Sequence, residues 1–184
     1  MLTEKHLKDA IKAVKFGDVI AYPTESVFGL GCDPFNQAAV IKLLTLKQRP
    51  IEQGLILIAS NIRQVLPLIQ PQEPNDLARA LKTWPGHHTW VFPQSKLVPN
   101  WITGHYNKVA IRLSNHPVVI QLCNHLNHAM VSSSANISKQ GVLNSIKDIK
   151  TIFGDKIGAY VDAPIGNEKK PSTIRDAHTL KIIR

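Results

Sequence analysis

Amphipathic helical stretches alternate with short apolar runs almost from end to end of the chain, and this alternation limits the fold more than any other feature. Thr3 is placed to cap a helix whose apolar face is Leu7, Ala10, Ile11 and Val14, with Gly17 as its stop. Residues 19–22 read as a strand, and Asn36 opens a second helix with Ala39, Val40, Leu43 and Leu44 on one face. The most apolar run, 55–59, has the length of a strand and is far too short to span a membrane. A helix is expected from Asn61 through Val65, Leu66 and Ile69, and another over 77–81 after a proline-rich PQEP loop. Residues 89–92 and 108–113 read as strands, 116–126 as a helix, and 129–132 as a short strand entering a serine-rich loop. Ser145 and Asp148 have capping-box spacing for a helix ending near Phe153. Strands over 157–161, 172–175 and 180–183 close the chain. There is no internal repeat and no low-complexity linker. The expectation is α/β: a single domain, 1–184, on a twisted mixed β-sheet with flanking helices. Several polar loops follow strands directly, where open α/β sheets put ligands.

The 184 residues suffice for one sizeable core. The N-terminal stretch is polar and mixed in charge, unlike a secretory signal. Cys32 and Cys123 lie far apart and suggest no disulfide framework. The expected location is cytoplasmic, with no membrane partner. Lysine and arginine total 22 against 13 acids, a formal charge of +9. That balance favours an anionic partner such as a nucleotide or nucleic acid, although a plainly soluble basic surface has the same composition.

Familiar catalytic patterns are missing. No stretch fits a P-loop, Gly29-Leu30-Gly31 lacks the third glycine of a dinucleotide fingerprint, and no serine sits in a nucleophile elbow. His125 and His128, with Cys123 nearby, lack a second ligand pair and read as structural or surface residues. Cys32 has no evident base partner. What remains is a series of polar segments: 22–31 (YPTESVFGLG), 47–50 (KQRP), 84–89 (WPGHHT), 109–113 (VAIRL), 132–138 (SSSANIS) and 171–175 (PSTIR). Singly, each has an ordinary reading as a turn or helix end. Together they supply cations, hydroxyls and an amide beside strand ends.

In order and spacing these segments resemble the YrdC/TsaC family of threonylcarbamoyl-AMP synthases. Matching elements are the Tyr-Pro-Thr-Glu segment with its Phe-Gly-Leu-Gly continuation (22–31), Lys-x-Arg-Pro (47–50), Trp-Pro-Gly-x-x-Thr (84–89) and an Ala-Ile-Arg strand (110–112). Ser-Ala-Asn (134–136), a late Ser-Thr-Ile (172–174) and a final Ile-Ile-Arg (182–184) complete the set. No single piece is specific, but seven in order are. Three positions depart from the family's usual pattern. Ser26 stands where threonine is common, His87 follows Pro85-Gly86 where proline is usual, and Lys139-Gln140-Gly141 follows Ser138 where glycine is usual.

The resemblance implies a YrdC-like domain with an open, concave, basic face, in the short single-domain bacterial form. It implies an enzyme, a nucleotidyltransferase that condenses L-threonine, bicarbonate or CO2, and ATP into threonylcarbamoyl-AMP and pyrophosphate. The product serves formation of N6-threonylcarbamoyladenosine in tRNA, which brings in tRNA and downstream threonylcarbamoyl-transferase proteins as partners. Carried over residue by residue, Lys47, Arg49, Arg112, Ser134, Asn136 and Arg184 would bind ATP, with Lys47 and Arg49 the catalytic cations. Thr24, Thr89, Ser132 and Ser172 would line the threonine pocket, with Ser26 beside Thr24. Magnesium would arrive on the nucleotide, with no tightly bound protein metal. The alternative from another class is a non-catalytic module binding double-stranded RNA or tRNA on its basic face. It uses the same charge but has no need of Thr24, Thr89 and Ser172.

Overall fold

The computed structural model describes residues 3–184. Thr3 Oγ1 accepts from the His6 amide at 3.2 Å and starts α1 (Glu4–Lys15). Strand β1 (Ile20–Pro23) turns at 24–27 into β2 (Phe28–Gly31). Asn36 caps α2 (Gln37–Lys47) by accepting from the Ala39 amide. β3 (Ile56–Ala59), α3 (Ile62–Val65), α4 (Pro74–Leu81), β4 (His88–Pro93), α5 (Asn100–Thr103) and β5 (Lys108–Leu113) follow. The chain ends with α6 (Pro117–Leu126), β6 (Met130–Ser134), α7 (Ile146–Phe153), β7 (Ala159–Tyr160) and β8 (Thr173–Asp176). Among the described residues, no helix is long and apolar enough to cross a membrane.

The strands form one eight-stranded mixed sheet in the order β7-β1-β2-β6-β3-β5-β4-β8. The β1–β7, β3–β5 and β4–β8 pairs are parallel and the rest antiparallel. Side chains alternate between two cores, as the pleat requires. Ile20, Tyr22, Ile58 and Met130 pack against α1 and α6 through Leu7, Val14, Val119 and Leu122. Ala21, Leu30, Leu57, Val131 and Ile111 face the other way, toward Val40 and Leu43 of α2 and Ile149 of α7. Both faces of the central strands are buried, so ligands are left the strand ends.

Several elements differ from the sequence expectation. β2 was not foreseen, because two glycines in four residues disfavour a strand. It forms because β1 and β6 pair with it on both sides. Gly31 is needed for packing and not for a ligand: a Cβ there would meet Val131 O at 2.5 Å and the Tyr22 ring at 2.7 Å. The serine run is no loop; Ser132, Ser133 and Ser134 belong to β6, paired with β2 or β3. The helix from Asn61 stops at Val65, where Pro67 leads into a 3-10 turn and Ile69 is extended. Residues 180–183 form no strand. They are held by backbone bonds such as Ile183 N–H to Ile174 O at 2.8 Å, while Leu180, Ile182 and Ile183 remain 44, 56 and 58% exposed.

Candidate functional site

The β1–β2 turn is built from its own polar groups. The Thr24 amide and hydroxyl both donate to Val27 O, at 3.0 and 2.7 Å. This turn, the β6 serines, Arg112 of β5 and Ser172 ahead of β8 enclose a cavity of about 190 Å³. Thr24, Ser26, Ser172 and the β6 residues Ser132, Ser133 and Ser134 are its hydroxyl-bearing lining, and Leu55 and Val142 are part of its apolar wall. Thr89, expected in the threonine pocket, is fully buried and is not among the residues lining this cavity; it meets Ser172 with Oγ atoms 2.8 Å apart. It supports Ser172 from behind. Arg184 holds the same residue from the other side, donating from Nη2 to Ser172 O at 3.2 Å and to Oγ at 3.4 Å.

A second cavity of about 440 Å³ is lined by Lys47, Arg49, Ser134, Asn136, Ser138 and Lys139. Arg49 and Ser134 line both cavities. The last residue of α2 is Lys47, and Gln48 takes the left-handed conformation (φ +49°) that turns the chain toward Arg49. Lys47 does not lie in an open polar loop, as its position after a helix suggested; it is 2% exposed. Its ammonium donates to the carbonyls of Ser134 and Asn136, and burial, with Arg49 adding to it, lowers its pKa to about 8. Arg49 donates to Gly54 O at 2.9 Å and keeps a buried Nε without partner. Asn136 donates from Nδ2 to Ile137 O and Gln140 O, leaving Oδ1 buried and unpartnered. The free group of Asn136 is therefore an acceptor. It complements a hydroxyl, an amine or a cation, not a phosphate oxygen.

Three guanidiniums share the first cavity. Burial, then the charges of Arg112 and Arg49, lower the pKa of Arg184. Packing like charges against one another is unfavourable until an anion enters. Arg112 faces the one carboxylate within ion-pair distance of it among the described residues, Glu25 at 3.3 Å. Neither cavity is lined by histidine or cysteine. Burial pushes the Cys32 and Cys123 thiols upward, so neither offers a thiolate. His125 bonds within its own helix to Gln121 O, and His128 packs edge-on against Phe35. The site can bind and orient an anion beside a small polar group, but holds no nucleophile–base pair. Ser133, Ser138 and Lys139 were missed from sequence. Once 132–138 is read as loop, strand alternation gives no means of choosing among its serines.

The sequence profile of the Sua5/YciO/YrdC family, described as "Telomere recombination", matches residues 12–184. The chain belongs to this family. Curated relatives match over nearly their whole length. Threonylcarbamoyl-AMP synthase of Coxiella burnetii (strain RSA 493) is 48% identical over 178 residues, covering 97% of this chain and 96% of that one. The protein of the same name from Pseudoalteromonas translucida is 46% identical and covers both chains completely. Among solved structures, P. abyssi Sua5 complexed with L-threonine superposes with a TM-score of 0.88 at 29% identity, covering 96% of this chain. This chain spans about half of that protein, 52% of its length. E. coli YciO, at 21% identity and a TM-score of 0.83 over 95% of this chain and 84% of its own, shares the fold.

Proposed function

We propose that this protein is a threonylcarbamoyl-AMP synthase, a nucleotidyltransferase that joins L-threonine, CO2 or bicarbonate, and ATP. One observation carries the reading: a small cavity walled by hydroxyls opens beside a larger cationic one, with Arg49 and Ser134 in both walls. The first has the size and polarity for threonine, with Thr24, Ser132 and Ser172 as hydroxyl partners and Leu55 or Val142 available to its methyl group. The second, with Lys47, Arg49 and Lys139, suits a polyphosphate. The threonine amine adds to CO2 and loses a proton, giving a carbamate. A carbamate oxygen attacks the α-phosphorus, the bond to the β-phosphate oxygen breaks, and pyrophosphate leaves. Arg112, Arg49 and Arg184 stand where the carbamate and the α-phosphate meet and stabilise charge on their oxygens. Neither step needs a protein nucleophile, only reactants held in line.

ATP enters as its magnesium complex in this scheme. Asn136 Oδ1, buried and unpartnered like Ser138 Oγ, is a protein oxygen in the phosphate cavity suited to face the cation or its water shell. The product supplies threonylcarbamoyl transfer to tRNA by other proteins in the cytoplasm. A double-stranded RNA or tRNA binder is the competing reading, and it leaves the enclosed hydroxyls without a purpose. The test is pyrophosphate release from ATP with and without threonine and bicarbonate. Dependence on both is expected. Serine should support a weaker reaction, since one methyl group is worth about 1 kcal/mol or slightly more. Release that ignores the amino acid overturns the assignment.

A further inference from the structure

The scheme above gives no part to Glu25, the carboxylate of the β1–β2 turn. Its side chain is 6% exposed, and it does not line the substrate cavity. A buried carboxylate is expensive unless both oxygens are met. Ser114, fully buried, donates its hydroxyl to Glu25 Oε1 at 2.5 Å, and the Ser114 oxygen in turn accepts from the His116 amide at 3.1 Å. Oε2 has no hydrogen-bond partner and is met by charge alone, in an ion pair with Arg112 Nη2 at 3.3 Å; Arg112 Nε is likewise buried without a partner. The serine thus fixes one carboxylate oxygen and sets the charge of the second beside one edge of the guanidinium.

Arg112 sits next to the C-terminal end of β5, opposite Thr89 of β4 and Ile58 of β3. Glu25 comes from the far half of the sheet, since β2 and β6 lie between β1 and β3. The pair therefore ties two halves of the sheet together at the site. The Glu25 main chain is held too: the Gly166 and Glu168 amides donate to Thr24 O and Glu25 O at 2.9 and 3.0 Å. A Cβ on Gly166 would lie 2.5 Å from Glu25 O, so this strap is closed against the turn. Further along, the strap reaches Ser172.

We propose that Glu25 is a positioning residue: through Ser114 and the ion pair it locks the Arg112 guanidinium in one orientation, so that its remaining donors face the reacting carbamate and phosphate. The lock removes rotamer freedom before substrate arrives. The catalytic consequence rests on the function proposed above; the lock itself does not.

Two measurements on the full chain separate these. Glu25→Gln keeps an oxygen for the Ser114 hydroxyl and removes the charge. In the ligand-free protein, nitrogen-15 NMR of arginine side chains should show slow rotation of the Arg112 guanidinium in the native chain and fast rotation in Glu25→Gln. Equal rotation overturns the lock whatever reaction the protein performs. If Glu25→Gln does not fold, Ser114→Ala serves the same measurement, with faster rotation expected and unchanged rotation overturning it. For catalysis, Glu25→Gln should lower kcat/KM for pyrophosphate release about tenfold or more in the native background, and less than about twofold when Arg112 is already glutamine. Equal losses in both backgrounds would mean that Glu25 acts on the fold at large, and overturn its role through Arg112. If the native chain shows no threonine-dependent release, the proposed function falls and the rotation result alone decides Glu25.

Discussion

Lys47 Nζ donates to Asn136 O at 2.7 Å, joining the end of α2 to the segment after β6. A cation at a helix end is usually solvated, and truncating it does little. This one is buried and also meets Ser134 O. Lys47→Ala should lose activity and stability together, leaving two buried carbonyls unpaired at a cost of about 2–3 kcal/mol. Thermal melting should show a drop of roughly 5–10 °C. A melting temperature like that of the native chain would mean that water readily replaces the ammonium.

The same residue predicts a pH effect with opposite signs for activity and stability. Its pKa is near 8 in the folded protein against 10.5 for the free side chain. Between these values the unfolded chain binds more protons, so this group's contribution to stability rises with pH in that window. The proposed phosphate contact, however, needs the ammonium. Pyrophosphate release should fall as pH rises through about 8, without unfolding in circular dichroism. Activity that stays flat to pH 10 counts against the contact.

Arg49→Ala should behave differently from Lys47→Ala. Its guanidinium donates to Gly54 O at 2.9 Å and to Gln53 O at 3.5 Å, carbonyls of a loop that water can reach in its place. The variant should fold normally and lose about 2–3 kcal/mol of transition-state stabilisation, roughly 30- to 150-fold in kcat/KM. Near-native turnover would remove Arg49 from the reacting centre.

Arg184→Ala, which preserves the bond from the Ile174 amide to the Arg184 carbonyl, should weaken ATP binding in isothermal titration. Threonine binding should weaken as well, by a smaller factor, because Ser172 loses a donor at both its carbonyl and its hydroxyl. Threonine affinity unchanged beside lower ATP affinity would show that Ser172 holds its place without Arg184.

Asp176 sets the last turn. Although burial raises its pKa, bonds from Lys108 and Thr179 outweigh this and lower it to about 2, from 3.8. Its contribution to stability is present above 3.8 and is lost as pH falls through about 2. Asp176→Asn should cost about 1–2 kcal/mol at pH 7 and abolish that part of the acid dependence. Denaturant titrations at pH 7 and pH 2 check both. Because the turn also leads back to Arg184, the variant should bind ATP less tightly.

The helices were legible because their signals are local. Thr3, Asn36 and Ser145 cap where expected, and apolar spacing marks the buried faces of α1, α2 and α7. β2 was hidden because glycine carries no strand signal of its own, and only the flanking strands supply the pairing. The serine run was misplaced for a related reason. Serine favours turns in isolation, and pairing with β2 and β3 overrides this preference in β6.

By itself, the sequence determined the alternating α/β architecture, the family, and the identity of the cations and hydroxyls at the strand ends, since composition and spacing are carried along the chain. The tertiary structure alone decided how those groups divide. It gathers Thr24, Ser132 and Ser172 in one cavity and Lys47, Asn136 and Ser138 in another, with Arg49 and Ser134 common to both. It withdraws Thr89 behind Ser172, buries Lys47 against two carbonyls, and sets Glu25 on Arg112, 87 positions along the chain. The reason is that burial and hydrogen-bond partnership depend on distance in space. Sheet order, which brings β1 and β5 to one site across three intervening strands, is a property of the whole chain.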